Sequence, residues 1–66
     1  MEIFVNGEAR EVSDTFSAAQ LVESLGLGER RVAMEVNREI VPRSEYEGFR
    51  FSPGDRVEVV HAIGGG

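Results

Sequence analysis

The side chains of this chain offer little with which to do chemistry. Cysteine is absent, which excludes a thiolate nucleophile, a disulfide framework and a thiolate metal site. The single histidine, His61, has no acid or metal partner at useful spacing and reads as a strand residue rather than a catalyst. The carboxylates are scattered and form no ligand cluster of metal spacing. What remains is the end of the chain, Gly64-Gly65-Gly66, where an α-carboxylate is ionised at neutral pH. Such a carboxylate can attack the α-phosphate of ATP. The acyl-adenylate that results has AMP as a good leaving group and a carbonyl open to a sulfur nucleophile.

Each feature of the tail has a physical reason under that chemistry. The mixed anhydride must be kept from water, so the passage leading to the nucleotide has to be narrow. Glycine has no Cβ and threads a narrow passage where other residues would clash. Three extended residues reach about 10 Å beyond a folded body, enough to enter another protein's active site. The chemistry expects Gly66 to be the true C-terminus, since a further residue would convert the carboxylate to an amide. Frayed ends and expression remnants can also consist of glycine. The tail by itself therefore says only that a carboxylate is presented on an arm without side chains.

Composition sets the frame around that arm. Sixty-six residues make one domain, near the lower limit for folding without metal or disulfide, and leave little room for a deep substrate pocket. A hydrophobic share of 41% against 29% charged residues is that of a folded rather than a disordered chain. The net charge of −5 repels phosphate, so no nucleic-acid partner is expected, and a partner with a basic surface is favoured. All seven basic residues are arginine, so no side-chain amine is present to accept an isopeptide bond from a second copy. No apolar run approaches a membrane span and no signal peptide precedes the first strand, so no membrane is expected and the default compartment is the cytoplasm.

The elements that position the tail follow from local patterns. Ile3-Phe4-Val5 reads as a strand, and Asn6-Gly7 is the strongest short hairpin signal. The return strand is expected from Glu8 to Ser13, with a bulge or odd contact because Ala9 and Val12 cannot share a face. Ser17 and Gln20 have capping-box spacing, with Phe16 and Leu21 as a hydrophobic staple. Ala18, Leu21, Val22 and Leu25 then form one helical stripe that Gly26 ends. Arg31 to Asn37 alternates, with Val32, Met34 and Val36 inward. Asn37-Arg38 turns the chain into Glu39-Ile40-Val41, which Pro42 stops. Ser44 and Glu47 have capping-box spacing around a short turn that Tyr46 packs. Ser52-Pro53-Gly54-Asp55 places Pro and Gly in type II positions ahead of a last strand from Arg56 to about Ile63.

This order predicts an α+β domain, a mixed sheet of four to five strands with one main helix packed across it. The last strand is expected beside the first as a parallel neighbour. The arrangement resembles the β-grasp, or ubiquitin-like, fold. One domain over residues 1–63 and a flexible glycine tail over 64–66 are expected.

Three segments carry a closer resemblance. Val36-Asn37-Arg38-Glu39-Ile40-Val41-Pro42-Arg43, Gly54-Asp55-Arg56-Val57-Glu58 and Ile63-Gly64-Gly65-Gly66 resemble the bacterial sulfur carriers of thiamine biosynthesis, which belong to the ubiquitin-like β-grasp superfamily. The middle segment discriminates best, because a Gly-Gly ending is shared across that superfamily. Gly64 departs from members with another small residue there, a change that leaves the mechanism intact. The resemblance implies a carrier rather than an enzyme, with Gly66 adenylated and then converted to a thiocarboxylate. Its implied partners are a ubiquitin-activating-like adenylyltransferase, which uses the ATP, and thiazole synthase, which receives the sulfur. The chain itself is expected to bind no cofactor and no metal.

Other residues bear on docking. Phe4 and Val60 are expected to point away from the core on neighbouring strands, forming an apolar pair that an activating enzyme could cover. Ile63, between the sheet and the glycines, is expected to anchor an interface. Arg30, Arg31 and Arg43 read as solvated charges. Two alternatives stand beside the leading reading. One is a carrier for molybdopterin synthesis or tRNA thiolation, and the other a ubiquitin-like interaction module or protein modifier without sulfur chemistry.

Overall fold

The computed structural model of the chain describes residues 1–28 and 30–61. Its first hairpin is made by a turn in which both central residues are left-handed, Asn6 at φ 50° and Gly7 at φ 86°. That geometry matches the natural twist of the strands it joins, and Asn-Gly adopts it at least cost. The turn connects β1 (Glu2–Val5) to β2 (Glu8–Glu11). Four consecutive antiparallel pairs run from Glu2–Glu11 to Val5–Glu8, so this stretch contains no bulge. The expected irregularity dissolves because Ala9 lies opposite Phe4 on the outer face, while Val12 falls just beyond the strand and packs against the core.

Helix α1 (Ala18–Ser24) begins as its sequence directs. The Ser17 hydroxyl accepts from the Gln20 amide at 3.1 Å, and the Gln20 side chain accepts from the Ser17 amide at 2.9 Å. Two amide protons without helical partners are thereby satisfied, a device worth about 1 kcal/mol. Gly26, at φ 74°, ends the helix. Its N–H reaches the Glu23 carbonyl and that of Leu27 reaches the Val22 carbonyl, both at 3.0 Å, the paired bonds of a Schellman terminus.

Strand β3 (Val32–Val36) turns at Asn37 and Arg38, again both left-handed, into β4 (Glu39–Val41). A short 3-10 turn over Arg43–Glu45 follows. Here one expectation fails: Ser44 and Glu47 form no capping box, and the turn starts from Pro42 with no side-chain cap. Proline's fixed φ presets the entry to the turn, and i to i+3 backbone bonds from Glu45, Tyr46 and Gly48 close it from Pro42 onward, so Ser44 lies inside the turn rather than at its start. The chain then closes with β5 (Arg56–His61), entered through Gly54 at φ 82° and a backbone bond from Asp55 to Ser52.

The five strands lie in the order β2-β1-β5-β3-β4, with β1 and β5 parallel at the centre and the remaining pairs antiparallel. The crossover between the two parallel strands carries α1, as a parallel pair requires. One face of the sheet contributes Ile3, Val5, Met34, Val36, Val41, Val57 and Val59 to the core, and α1 covers it with Ala18, Leu21 and Val22. Tyr46 and Phe51 close the open side, Phe51 meeting Phe49 edge-on at 5.4 Å and Phe16 at 6.3 Å.

Burial pushes the Tyr46 phenol above its ordinary pKa, while the nearby Arg43 guanidinium pulls weakly the other way. The folded state thus holds this proton more tightly than the unfolded chain does. Its contribution to stability is intact below about pH 10 and is lost as pH rises through the folded-state value. Melting temperature is expected to fall more steeply in the wild type than in Tyr46→Phe between about pH 9 and pH 11. Parallel curves for the two proteins would remove the phenol from the account.

Candidate functional site

Strand β5 leads toward the glycines, and the fold gives it the most supported place in the sheet. β1 flanks it on one side through Phe4–Arg56 and Val5–Val57. On the other side β3 pairs with it over five residues, from Val36–Val57 to Val32–His61. Val57 and Val59 are buried in the core, 1% and 5% exposed. Arg56, Glu58 and Val60 project from the opposite face, and Val60 is 63% exposed. His61 is the exposed last residue of β5, opposite Val32, in keeping with a strand role. Ile63, Gly64, Gly65 and Gly66 lie outside the described residues, as does the boundary drawn between domain and tail.

The outer-face pair expected from the sequence needs correction. Phe4 and Val60 share a face, but the parallel register sets Phe4 opposite Arg56. Val60 stands four residues further along β5, roughly 13 Å away. Phe4 is half-buried beneath the Arg56 guanidinium, which sits 5.6 Å from the ring centroid in a cation–π contact. Val60 is opposite the exposed Ala33 instead. Sequence reasoning also missed Ile40, 74% exposed on the same outer face, where it pairs with Glu35. The signal was present: consecutive Ile40-Val41 on a strand must split across the two faces, and Val41 is in the core.

Three polar side chains proved to have more specific partners than the sequence suggested. Arg43 donates to the carbonyls of Arg30 at 2.9 Å and Gly28 at 3.1 Å, holding the connection between α1 and β3. Asn37 accepts from the Arg56 amide and donates to the Asp55 carboxylate, both at 3.0 Å. Asn6 bonds both backbone groups of Val59. Among the described residues no group of three or more histidine or acidic side chains is placed to hold a metal. No described helix is long and apolar enough to cross a membrane.

A model of the ThiS family matches residues 3–66, from the first strand through the last glycine. The chain belongs to the ThiS family. The crystal structure of the thiamine biosynthesis protein ThiS from Geobacter metallireducens is similar over 100% of both chains, with a TM-score of 0.80 and 28% sequence identity. This ThiS-family chain is also 42% identical to a thiazole synthase from Paramagnetospirillum magneticum and 36% identical to one from Magnetococcus marinus. Both matches take in all 66 residues of the chain but only 20% of each synthase. The ThiS fold of the solved relative agrees with the five-stranded mixed sheet and single helix described above.

Proposed function

We propose that this chain is a sulfur carrier of thiamine biosynthesis that holds sulfur as a thiocarboxylate on Gly66. The observation that carries the reading is the ThiS-family match, which spans residues 3–66 and so takes in the glycine tail. In the proposed sequence, a partner adenylyltransferase of the ubiquitin-activating kind admits the tail to its nucleotide site. An oxygen of the Gly66 carboxylate attacks the α-phosphorus of ATP, and pyrophosphate leaves. The terminal sulfur of a persulfide on the partner then attacks the activated carbonyl, and AMP departs. A second thiol, also outside this chain, cleaves the resulting acyl disulfide, forming a disulfide with the donor sulfur and freeing the thiocarboxylate. The carrier supplies no acid, base or nucleophile beyond its terminus; it is a co-substrate, and ATP is bound by the partner. Use of ATP and of reduced sulfur assigns the carrier to the cytoplasm.

Thiazole synthase is the proposed receiver. Support comes from the two synthases in which a segment like this whole chain makes up a fifth of the protein, so that carrier-like and synthase portions share one polypeptide. That these relatives are thiazole synthases favours thiazole formation over molybdopterin synthesis, tRNA thiolation or protein modification.

The test is to incubate the chain with ATP, the adenylyltransferase and a persulfide donor, then to weigh it intact. A gain equal to the exchange of one oxygen for one sulfur, dependent on ATP, is expected. An unchanged mass under conditions that load a known carrier would overturn the proposal.

The exposed face around Val60 and Ala33 is the proposed contact for the adenylyltransferase. Val60→Arg is expected to raise KM for loading about tenfold, as for a moderate interface residue. Stability should stay within about 0.5 kcal/mol, since Val60 lies outside the core. An unchanged KM would move the contact elsewhere.

A further inference from the structure

The two left-handed turn asparagines, Asn6 at φ 50° and Asn37 at φ 52°, both direct their carboxamides at β5, one near each end. Asn37 holds the beginning, accepting from the Arg56 amide. Asn6 acts further along. Its Oδ1 accepts from the Val59 N–H at 2.9 Å, and its Nδ2 donates to the Val59 carbonyl at 3.2 Å, across a sequence separation of 53.

The backbone explains why a side chain is needed there. The ladder between β1 and β5 ends at Val5–Val57, and its last backbone bond runs from the Asn6 N–H to the Val57 carbonyl at 2.8 Å. At Asn6 the chain turns away toward β2, while β5 continues to His61. A carboxamide carries the same donor and acceptor as a peptide group. Asn6 therefore extends the parallel ladder by one step after the β1 backbone has left. Without it, β5 beyond Val57 would be held by β3 alone.

We propose that Asn6 is a positioning residue for the chemistry at Gly66: it clamps β5 at Val59 and so sets the direction in which the segment after the sheet leaves the domain. The proposal rests on the sulfur-carrier reading above. Residues 62–66 can reach at most roughly 18 Å past His61, so any loosening of the β5 end that β3 alone would hold is carried into the residues that follow. Ordering that root before docking lowers the entropy lost when the tail enters a partner's passage. The benefit lies in docking, so it is expressed in KM and not in the rate of the bound complex.

Three variants test this. Asn6→Gly keeps the left-handed turn, which glycine adopts freely, and removes the carboxamide. Asn6→Asp keeps an acceptor for the Val59 N–H but sets a carboxylate oxygen against the Val59 carbonyl. Asn37→Gly removes the corresponding carboxamide at the other end of β5. In loading by the adenylyltransferase, Asn6→Gly is expected to raise KM about fivefold with kcat within about twofold. Asn6→Asp should raise KM at least as much, and Asn37→Gly should leave it unchanged even where it lowers the melting temperature equally. Amide hydrogen exchange at Val59, Val60 and His61 should speed up in Asn6→Gly and not in Asn37→Gly. Equal KM changes in Asn6→Gly and Asn37→Gly, or unaltered exchange at these three amides in Asn6→Gly, would overturn the clamp. Failure of the wild type to load at all would overturn the carrier reading instead, and the exchange measurement would still decide the clamp.

Discussion

Deletion of Gly66 is expected to cut the loading of sulfur at least about 100-fold while leaving thermal unfolding unchanged. The buried core of the described residues lies between Ile3 and Val59, and the described sheet ladder ends at His61, so unfolding is expected to be governed by residues upstream of the glycine that is removed. The chemistry is affected differently. A shortened chain still ends in a glycine carboxylate, but one that falls about 3.5 Å short of its former reach. In-line attack on a phosphorus requires the reacting atoms within about 3–3.5 Å, and a misplacement of only 1 Å costs on the order of 100-fold. Loading, read as ATP-dependent mass gain, should therefore drop by at least about 100-fold with no change in melting temperature. Loading of the shortened chain at the wild-type rate would show that Gly66 is not the reacting residue.

The largest effect on stability is expected from Leu21→Ala. Leu21 is fully buried on the inner stripe of α1, in one cluster with the fully buried Ile3 and Met34 and with Val57. Truncation removes the transfer free energy of the side chain and leaves a cavity that helix and sheet can only partly close, a loss of about 2–5 kcal/mol. A chain of this size has a total stability of only about 3–10 kcal/mol, so the variant should be close to unfolding at room temperature. The melting temperature should fall by about 10–30 °C, with a matching drop in the urea midpoint. Ile40→Ala, on the exposed outer face, should cost no more than about 0.5 kcal/mol. Comparable losses in the two variants would mean that the sheet's buried face has been misassigned.

The parts of the fold that could be read in advance were those governed by local rules with one good solution. Asn6-Gly7 permits one kind of tight hairpin, Ser17 and Gln20 satisfy each other's neighbouring amides, and alternation in β3 leaves Met34 and Val36 only one face to bury. Parallel pairing of the first and last strands followed from element order. What escaped the sequence depended on distant register. Nothing near Asn6 indicates that its carboxamide will meet Val59, because that contact exists only once β5 lies beside β1 and outruns it. Phe4 and Val60 were assigned to the correct face of neighbouring strands, but their separation along it was not legible, since a face is a matter of parity whereas adjacency needs the register. Ser44 and Glu47 had the spacing of a cap but lost to Pro42, whose ring had already fixed the start of that turn. Arg43 resembled a solvated charge because the carbonyls it binds, on Gly28 and Arg30, come from a loop more than a dozen residues upstream. For the candidate site the division is similar. The glycine tail was legible as residue types and lies within the family match, while the Asn6–Val59 hydrogen bonds were not legible.

The most direct test of the central claim follows the sulfur itself. The chain would be loaded with isotopically labelled sulfur by ATP, the adenylyltransferase and a labelled persulfide donor, purified free of the donor, and given to thiazole synthase with its remaining substrates. The account predicts label in the thiazole ring, in proportion to carrier consumed, and a carrier returned to its unloaded mass. Thiazole formed without label, or a carrier that keeps its sulfur while product accumulates, would contradict it.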